Sequence, residues 1–326
     1  MEIDIVICTY NRATVLAEVL DALAVQRVPP GMTWSVVVVD NNSTDATAEL
    51  VQRHVAAGAI PGLRRVVEHT QGLTHARLRG VRSTHADWIA FVDDDCILDD
   101  TWVAEATRFA STHPECGAFG SRVILRWERE PEPVIARYGW ALAEQDQGDG
   151  ERRVTGVAGA GMVVRREALT HSRWLERPEL DDRVGARLVS GGDVEIAARV
   201  AGAGYELWYA GRCRLWHLIP AQRTRRRYVA AVVRGLGASS VYGQALAGPR
   251  SEGAWARGAA RDLGRDAATL SRHATRALMR RRGLTDLAMD ANWFAGRASG
   301  LWGLARGGRA RRARLLGIAA PRTRRV

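Results

Sequence analysis

Along the first half of the chain, short apolar runs alternate with stretches whose apolar positions recur every three or four residues. Ile3–Cys8, Trp34–Val39, Leu63–Glu68 and Trp88–Val92 predict strands. Between them, Ala13–Ala24 predicts a helix with Val15, Val19, Leu20 and Leu23 on one face. Asp45–Ala57, capped by Ser43 or Thr44, and His75–Thr84 predict two more. Strands alternating with helices of this length imply an α/β fold, a mostly parallel sheet covered on both faces. In such sheets the ligand crevice lies outside the carboxyl ends of the strands. Thr9, Asp40 and Asp93–Asp95 all fall there.

Further along, Asp99–Ser111 and Asp193–Ala203 predict helices, and Val154–Val164 and Tyr205–Tyr209 predict strands. Trp127–Arg153 is polar and irregular and reads as a variable loop. Beyond Pro220 two amphipathic helices are expected. One places Ala259, Leu263, Ala267, Leu270 and Ala274 on its apolar face, the other Leu287, Ala291, Phe294, Ala298 and Leu301. The pattern divides the chain at 1–220 and 221–326. No apolar run approaches the roughly 18 residues that span a bilayer, and Met1–Ile7 has no cationic leader. A cytoplasmic chain, at most peripheral to a membrane, is the expectation.

Charge sharpens the division. Residues 1–217 carry 24 arginines against 31 acids, and residues 218–326 carry 23 arginines against 5 acids, within a net charge of +11. The basic end, with its Arg-rich tail from Arg306 to Arg325, has three readings: contact with anionic lipid, contact with an anionic acceptor, or helices with solvated arginine faces. No basic–aromatic interleaving points to nucleic acid. The chain has no lysine at all, which excludes a Walker-A site, Schiff-base chemistry and lysine-dependent phosphatases or nucleotidyltransferases. No G-x-G-x-x-G follows the first strand, which argues against a dinucleotide dehydrogenase. Cys8, Cys96, Cys116 and Cys213 lack metal-type spacing and read as small hydrophobic residues.

The candidate chemistry centres on Asp93-Asp94-Asp95. Three adjacent carboxylates after an apolar strand repel one another unless a cation neutralises them, and a hard divalent ion suits their oxygens. The triplet alone would also fit a solvated acidic turn. Its surroundings carry more information. Ile5–Arg12, Val36–Asp45 (V-V-V-V-D-N-N-S-T-D), Gln71–Gly80 and Trp88–Asp95 resemble, in order and spacing, four segments of glycosyltransferase family 2.

That resemblance implies a GT-A fold, Rossmann-like, with a C-terminal helical extension. It makes 1–97 the nucleotide-binding half and 98–220 the acceptor half. It implies that Thr9 and Asp40 hold the nucleobase, a uracil in a UDP-sugar, with Tyr10 and Arg12 shaping the pocket. Arg77 would face the base or diphosphate, and Asp93 or Asp94 the ribose. Asp95 would bind Mn²⁺ or Mg²⁺, with His217 completing the site and Arg223 neutralising the leaving diphosphate. Leu78 and Ala86 depart from the family's usual Asn and Gly. Val157–Met162 resembles the strand between donor and acceptor sites, where Gly161 admits the sugar to the backbone. Leu180–Gly185 and Ser190–Glu195 resemble the segment carrying the catalytic base. Asp193 takes that place, but Gly192 stands where Glu is usual, so Glu195 stays open as an alternative. The implied reaction is inverting transfer to an acceptor hydroxyl on a glycan, glycolipid or natural product. A silent nucleotide-sugar-binding protein is the competing function.

Overall fold

β1 (Glu2–Thr9) sends Ile3, Ile5 and Ile7 to one side and Val6 to the other, the period of two that a strand buried on both faces requires. The structure is a computed structural model and describes residues 1–180, 191–247, 251–279 and 283–316. α1 (Ala13–Ala24) covers the isoleucine side through Leu16, Val19, Leu20 and Leu23. Leu16 thus takes the core place expected of Val15, which is only half-buried. β2 (Thr33–Asp40) repeats the alternation, Val36 and Val38 against Val37 and Val39. α2 (Thr47–Ala57), β3 (Arg64–Val67), α3 (Leu73–Arg82) and β4 (Trp88–Asp93) follow. Neither Ser43 nor Thr44 caps α2. Asp45 accepts from the Thr47 N–H instead, while Ser43 Oγ accepts from the backbone N–H of Asn11.

β5 (Cys96–Leu98), α4 (Trp102–Thr112) and β6 (Cys116–Trp127) come next, then α5 (Pro133–Ala136) and a 3₁₀ turn at Gly139–Leu142. β7 (Glu151–Arg153), β8 (Met162–Arg165), α6 (Arg166–His171), α7 (Gly192–Gly202) and β9 (Glu206–Ile219) complete the α/β part. The sheet runs β3-β2-β1-β4-β8-β6-β9-β5, with β7 on β9. Its first four strands are parallel, and antiparallel strands enter beyond β4. The parallel register sets Thr9 beside Asp40 and Cys8 beside Asp93, so three strand ends share one rim. Antiparallel pairing of β5 with β9 sets Cys96 opposite His217, which carries the next acid, Asp95, to the same place.

Several expectations shift. The strand expected over Val154–Val164 forms only at Met162–Arg165. Residues 127–153, read as loop, hold α5, the 3₁₀ turn and β7. β6 is a long strand that periodicity does not announce, because its first half, residues 116–121, is buried throughout and interrupted by Gly117 and Gly120. Of the segment Leu180–Gly185 and Ser190–Glu195, residues 181–190 lie outside the described residues, as does the tail beyond 316.

After a second 3₁₀ turn (Ala221–Thr224), α8 (Arg226–Leu246), α9 (Glu252–Leu278), α10 (Leu284–Arg306) and α11 (Gly308–Leu315) close the chain. α8 was hidden by its arginines and glycines. α10 meets it through small residues. A Cβ on Gly296 would strike the carbonyl oxygen of Arg234, and one on Gly300 would lie 2.7 Å from that of Ala238. The face of α10 that is buried is accordingly Met289, Gly296, Gly300 and Leu304, rotated from the apolar stripe read in the sequence. Val229, Val232 and Met289 cluster with Ile135 and Ala141, joining the C-terminal helices to the α/β part. No helix among the described residues is long and apolar enough to cross a membrane.

Candidate active site

The rim formed by β1, β2 and β4 opens on a cavity of about 700 Å³. Thr9 Oγ1, at the end of β1, donates to Asp94 Oδ2 at 2.7 Å. Arg12 reaches over the same acids, its Nε 3.4 Å from Asp94 Oδ1 and its Nη2 3.0 Å from Asp95 Oδ2. Arg223 Nη1 lies 3.1 Å from Asp95 Oδ2. Two arginines, one just after β1 and one in the turn that follows β9, thus converge on one carboxylate.

The two buried acids respond in opposite directions. Burial pushes the Asp94 carboxyl up to about 7 against the pull of Arg12. Burial would raise Asp95 too, but His217, Arg223 and Arg12 outweigh it and hold that carboxyl well below the usual range. Asp95 is therefore the anionic centre of the cluster. The Leu218 N–H donates to the Asp95 carbonyl at 2.8 Å, tying the acid to β9.

His217 is oriented by its surroundings. Its Nδ1 lies 2.9 Å from the Leu142 carbonyl, which can only accept, so Nδ1 carries a proton. Nε2 then points at Asp95 Oδ1, 3.3 Å away. As an imidazolium, His217 donates its Nε2–H to that oxygen, the form in which it lowers the Asp95 carboxyl; unprotonated, Nε2 offers a lone pair that a divalent ion would share with the carboxylate. Ligand atoms of Asp95, His217 and Cys96 lie within 4.8 Å of one another. The carboxylate and imidazole suit Mn²⁺ or Mg²⁺. Cys96 suits neither, since burial raises its thiol well above the usual value. The donor set fits a divalent ion with Asp95 and His217 as its protein ligands.

Of the other residues singled out by the sequence, Tyr10, Arg12, Arg77, Asp93 and Asp94 line the cavity together with Thr9. Tyr10 is exposed, and Arg77 is buried with its guanidinium over the Phe91 ring. Asp40 does not line it. That acid is buried, accepting from the Ser43 N–H at 2.8 Å and from Arg65 Nη1 at 2.6 Å. Its neighbour Asn41 lines the cavity instead. Asn41 donates to the Glu68 and Thr70 carbonyls and accepts from the Gly72 N–H, fixing the loop that leads into α3. Sequence reading passed over Asn41, although its place after the strand-end acid was a usable signal.

Gly161 is also absent from the lining. Its φ of +71° belongs to the left-handed region, and a Cβ there would strike Leu215 and Ser121, so packing fixes it as glycine. Gly159 faces the cavity in its stead, and its N–H donates to Asp193 Oδ2 at 3.1 Å. Asp193 sits in the first turn of α7 and lines the cavity. Its Oδ1 accepts from the Val194 N–H at 2.9 Å. Glu195 is fully buried and occupied: it accepts from the Glu179 and Leu180 N–H groups and pairs with Arg199 at 2.6 Å. Of the two acids, Asp193 alone faces the cavity.

An open α/β sheet whose carboxyl rim carries an acid cluster, with a further acid lining the same cavity, has the fold of GT-A glycosyltransferases. The chain belongs to glycosyl transferase family 2, whose sequence profile matches residues 4–172, more than half its length. It is 24% identical over 210 residues to the glucosyl-dolichyl phosphate glucuronosyltransferase of Haloferax volcanii, covering 62% of this chain and 61% of that protein. It is 27% identical over 214 residues to glycosyltransferase AglE of the same organism, covering 64% of each. The chain thus spans less than two thirds of the length of these relatives. Among solved structures, the mannosyltransferase PcManGT from Pyrobaculum calidifontis, in complex with GDP-Man and Mn²⁺, superposes with a TM-score of 0.60 at 20% identity. That match covers 92% of this chain and 87% of PcManGT.

Proposed function

We propose that the chain is an inverting, metal-dependent glycosyltransferase that moves a sugar from a UDP-sugar to an acceptor hydroxyl. The observation that carries this reading is that Asp95 and Asp193, brought by β4 and α7, line one cavity. In it, 1–97 forms the donor half, 98–220 the acceptor half and 221–326 the helical extension. Thr9, Tyr10, Arg12 and Arg77 surround the nucleotide, with Asp40 behind Asn41. Asp93 or Asp94 holds the ribose.

Asp193 takes the proton from the acceptor hydroxyl, whose oxygen attacks the anomeric carbon from the face opposite the diphosphate. The glycosidic bond to the diphosphate breaks with its electron pair on the phosphate oxygen, and configuration inverts. Arg12 and Arg223 neutralise charge growing on that leaving group. A divalent ion held by Asp95 and His217 would supply further positive charge there.

The competing reading, a silent nucleotide-sugar-binding protein, gives no role to an acid that lines the same cavity as the metal-type cluster. A relative named for glucosyl-dolichyl phosphate supports a glycolipid acceptor, which suits action at the inner face of a membrane. Thermal shift with UDP-, dTDP- and GDP-sugars, with and without Mn²⁺, tests the donor. A melting temperature raised by the UDP-sugar only when Mn²⁺ is present is expected; no response to any of the three contradicts the reading.

A further inference from the structure

Resting on that function and deepening it, we propose that the far end of the cavity is a subsite for a hydrocarbon chain, so that the acceptor hydroxyl is carried on a lipid. Beyond Asp193 and His217 the lining changes character. Trp140, Leu142, Tyr228, Leu236 and Trp293 face the space, with Ser240 among them. The Ser240 hydroxyl donates to the Gly237 carbonyl at 2.7 Å and accepts from Arg297 Nη1 at 3.1 Å, so its proton is committed within the protein. Tyr228 and Trp140 add one hydroxyl and one indole N–H to this wall, too few to pair the several hydroxyls of a second sugar ring, and each unpaired group carries a cost. A hydrocarbon chain brings none and gains from every methylene removed from water.

The wall is built, not incidental. Asp286, buried near the start of α10, accepts from Arg137 Nη2 at 2.7 Å and from the Tyr138 hydroxyl at 2.9 Å. Two residues on, Trp140 stands edge-on to Trp293 with ring centroids 5.8 Å apart. The turn and α10 are thereby locked as the two sides of one apolar channel. Trp140 keeps 45% of its surface exposed. The same turn ends at Leu142, whose carbonyl orients His217, so the channel opens directly on the acid cluster. α8 and α10, which carry Tyr228, Leu236, Ser240 and Trp293, lie beyond the residues that the family profile matches, while Trp140 and Leu142 lie within them.

A lipid, and not a free apolar molecule, is the occupant that the charge favours. Residues 218–326, which supply half the channel, carry 23 arginines against 5 acids, the complement of an anionic bilayer surface. The facing ends of α9 and α10 leave Leu278 and Leu284 exposed at 87% and 78%, with Met279 beside them, as apolar contacts for that surface.

The test uses the full chain saturated with UDP and Mn²⁺, titrated calorimetrically with methyl, hexyl and octyl β-glucoside at monomeric concentrations. Affinity should rise roughly fourfold per methylene. Trp140→Ala and Leu236→Gln should each flatten that rise while UDP still binds as in the wild type. The exposed Trp140 makes the first variant safe for folding. Equal affinity across the series with UDP bound, or an unchanged rise in both variants, overturns the lipid subsite and leaves the glycosyltransferase reading standing. Failure to bind UDP at all overturns both.

Discussion

The Leu142 carbonyl accepts a hydrogen bond from His217 Nδ1 at 2.9 Å, which aims the opposite ring nitrogen at Asp95. A partner of this kind fixes the tautomer and orientation of a ligating imidazole. Removing the imidazole should therefore weaken metal binding more than it weakens the fold. His217→Ala removes a ligand outright and is expected to lose at least the roughly 10–100-fold in Mn²⁺ affinity that loss of an outer partner carries, with UDP-sugar turnover partly restored by excess Mn²⁺. Titration of Mn²⁺ by electron paramagnetic resonance reads it directly, and an unchanged curve contradicts the role.

Thiol chemistry offers a reporter of donor binding. Cys8 is half-buried and lines the cavity. Burial pushes the Cys116 thiol up to about 12 and raises Cys96 and Cys213 as well. In the native protein a maleimide should label Cys8 first, and UDP with Mn²⁺ should slow that reaction. Mass spectrometry of labelled peptides checks it; equal labelling of Cys116, or no protection by UDP, would argue against the placement of the donor.

Asp4 sets a pH dependence away from the site. Burial tends to raise its carboxyl, but the Ser35 hydroxyl and the Ala86 and His85 N–H groups all donate to it and, with Arg64, hold it below its ordinary 3.8. A native value below the unfolded one stabilises the fold above 3.8, and that contribution fades as pH falls through the native value. Asp4→Asn should cost about 2 kcal/mol at neutral pH, the scale of hydrogen bonds to a charged group. The gap should narrow on acidification in urea melts at successive pH values. A gap that stays constant into the acid range contradicts the assignment.

The α8–α10 crossing predicts a steric result. Gly296→Ala places a methyl group against the Arg234 carbonyl, which is backbone and can yield only by parting the helices. Overpacking of this kind costs roughly 1–3 kcal/mol. A lowered melting temperature is expected in Gly296→Ala. The matched substitution Gly258→Ala, at a position with open space around it, should raise stability slightly. The same change in both variants would mean that the close approach is not as described.

The parallel half of the sheet was legible because its strands alternate or run apolar between amphipathic helices, and the register then brings Thr9, Asp40 and the acid triplet to one rim. What stayed hidden had physical causes. The first half of β6, residues 116–121, is buried throughout and broken by glycines, so it shows no alternation. α10 buries glycines, which carry no apolar signal, so its sequence stripe points away from the contact actually made. Asp40 and Gly161 were read as ligands from their places in a pattern, whereas Asn41 and Gly159 are the neighbours that line the cavity. For Asp40 and Asn41 the one-residue difference turns on side-chain direction at the end of a strand, which spacing alone does not determine.

The central claim is that Asp193 is the general base facing the donor across the cavity. Asp193→Asn keeps the shape of the side chain and removes its basicity, so turnover of a UDP-sugar in the presence of Mn²⁺ should fall by about 10²–10⁴-fold. UDP affinity measured on the same preparation should be unchanged. Turnover equal to that of the unsubstituted chain, with UDP still bound, would contradict the account.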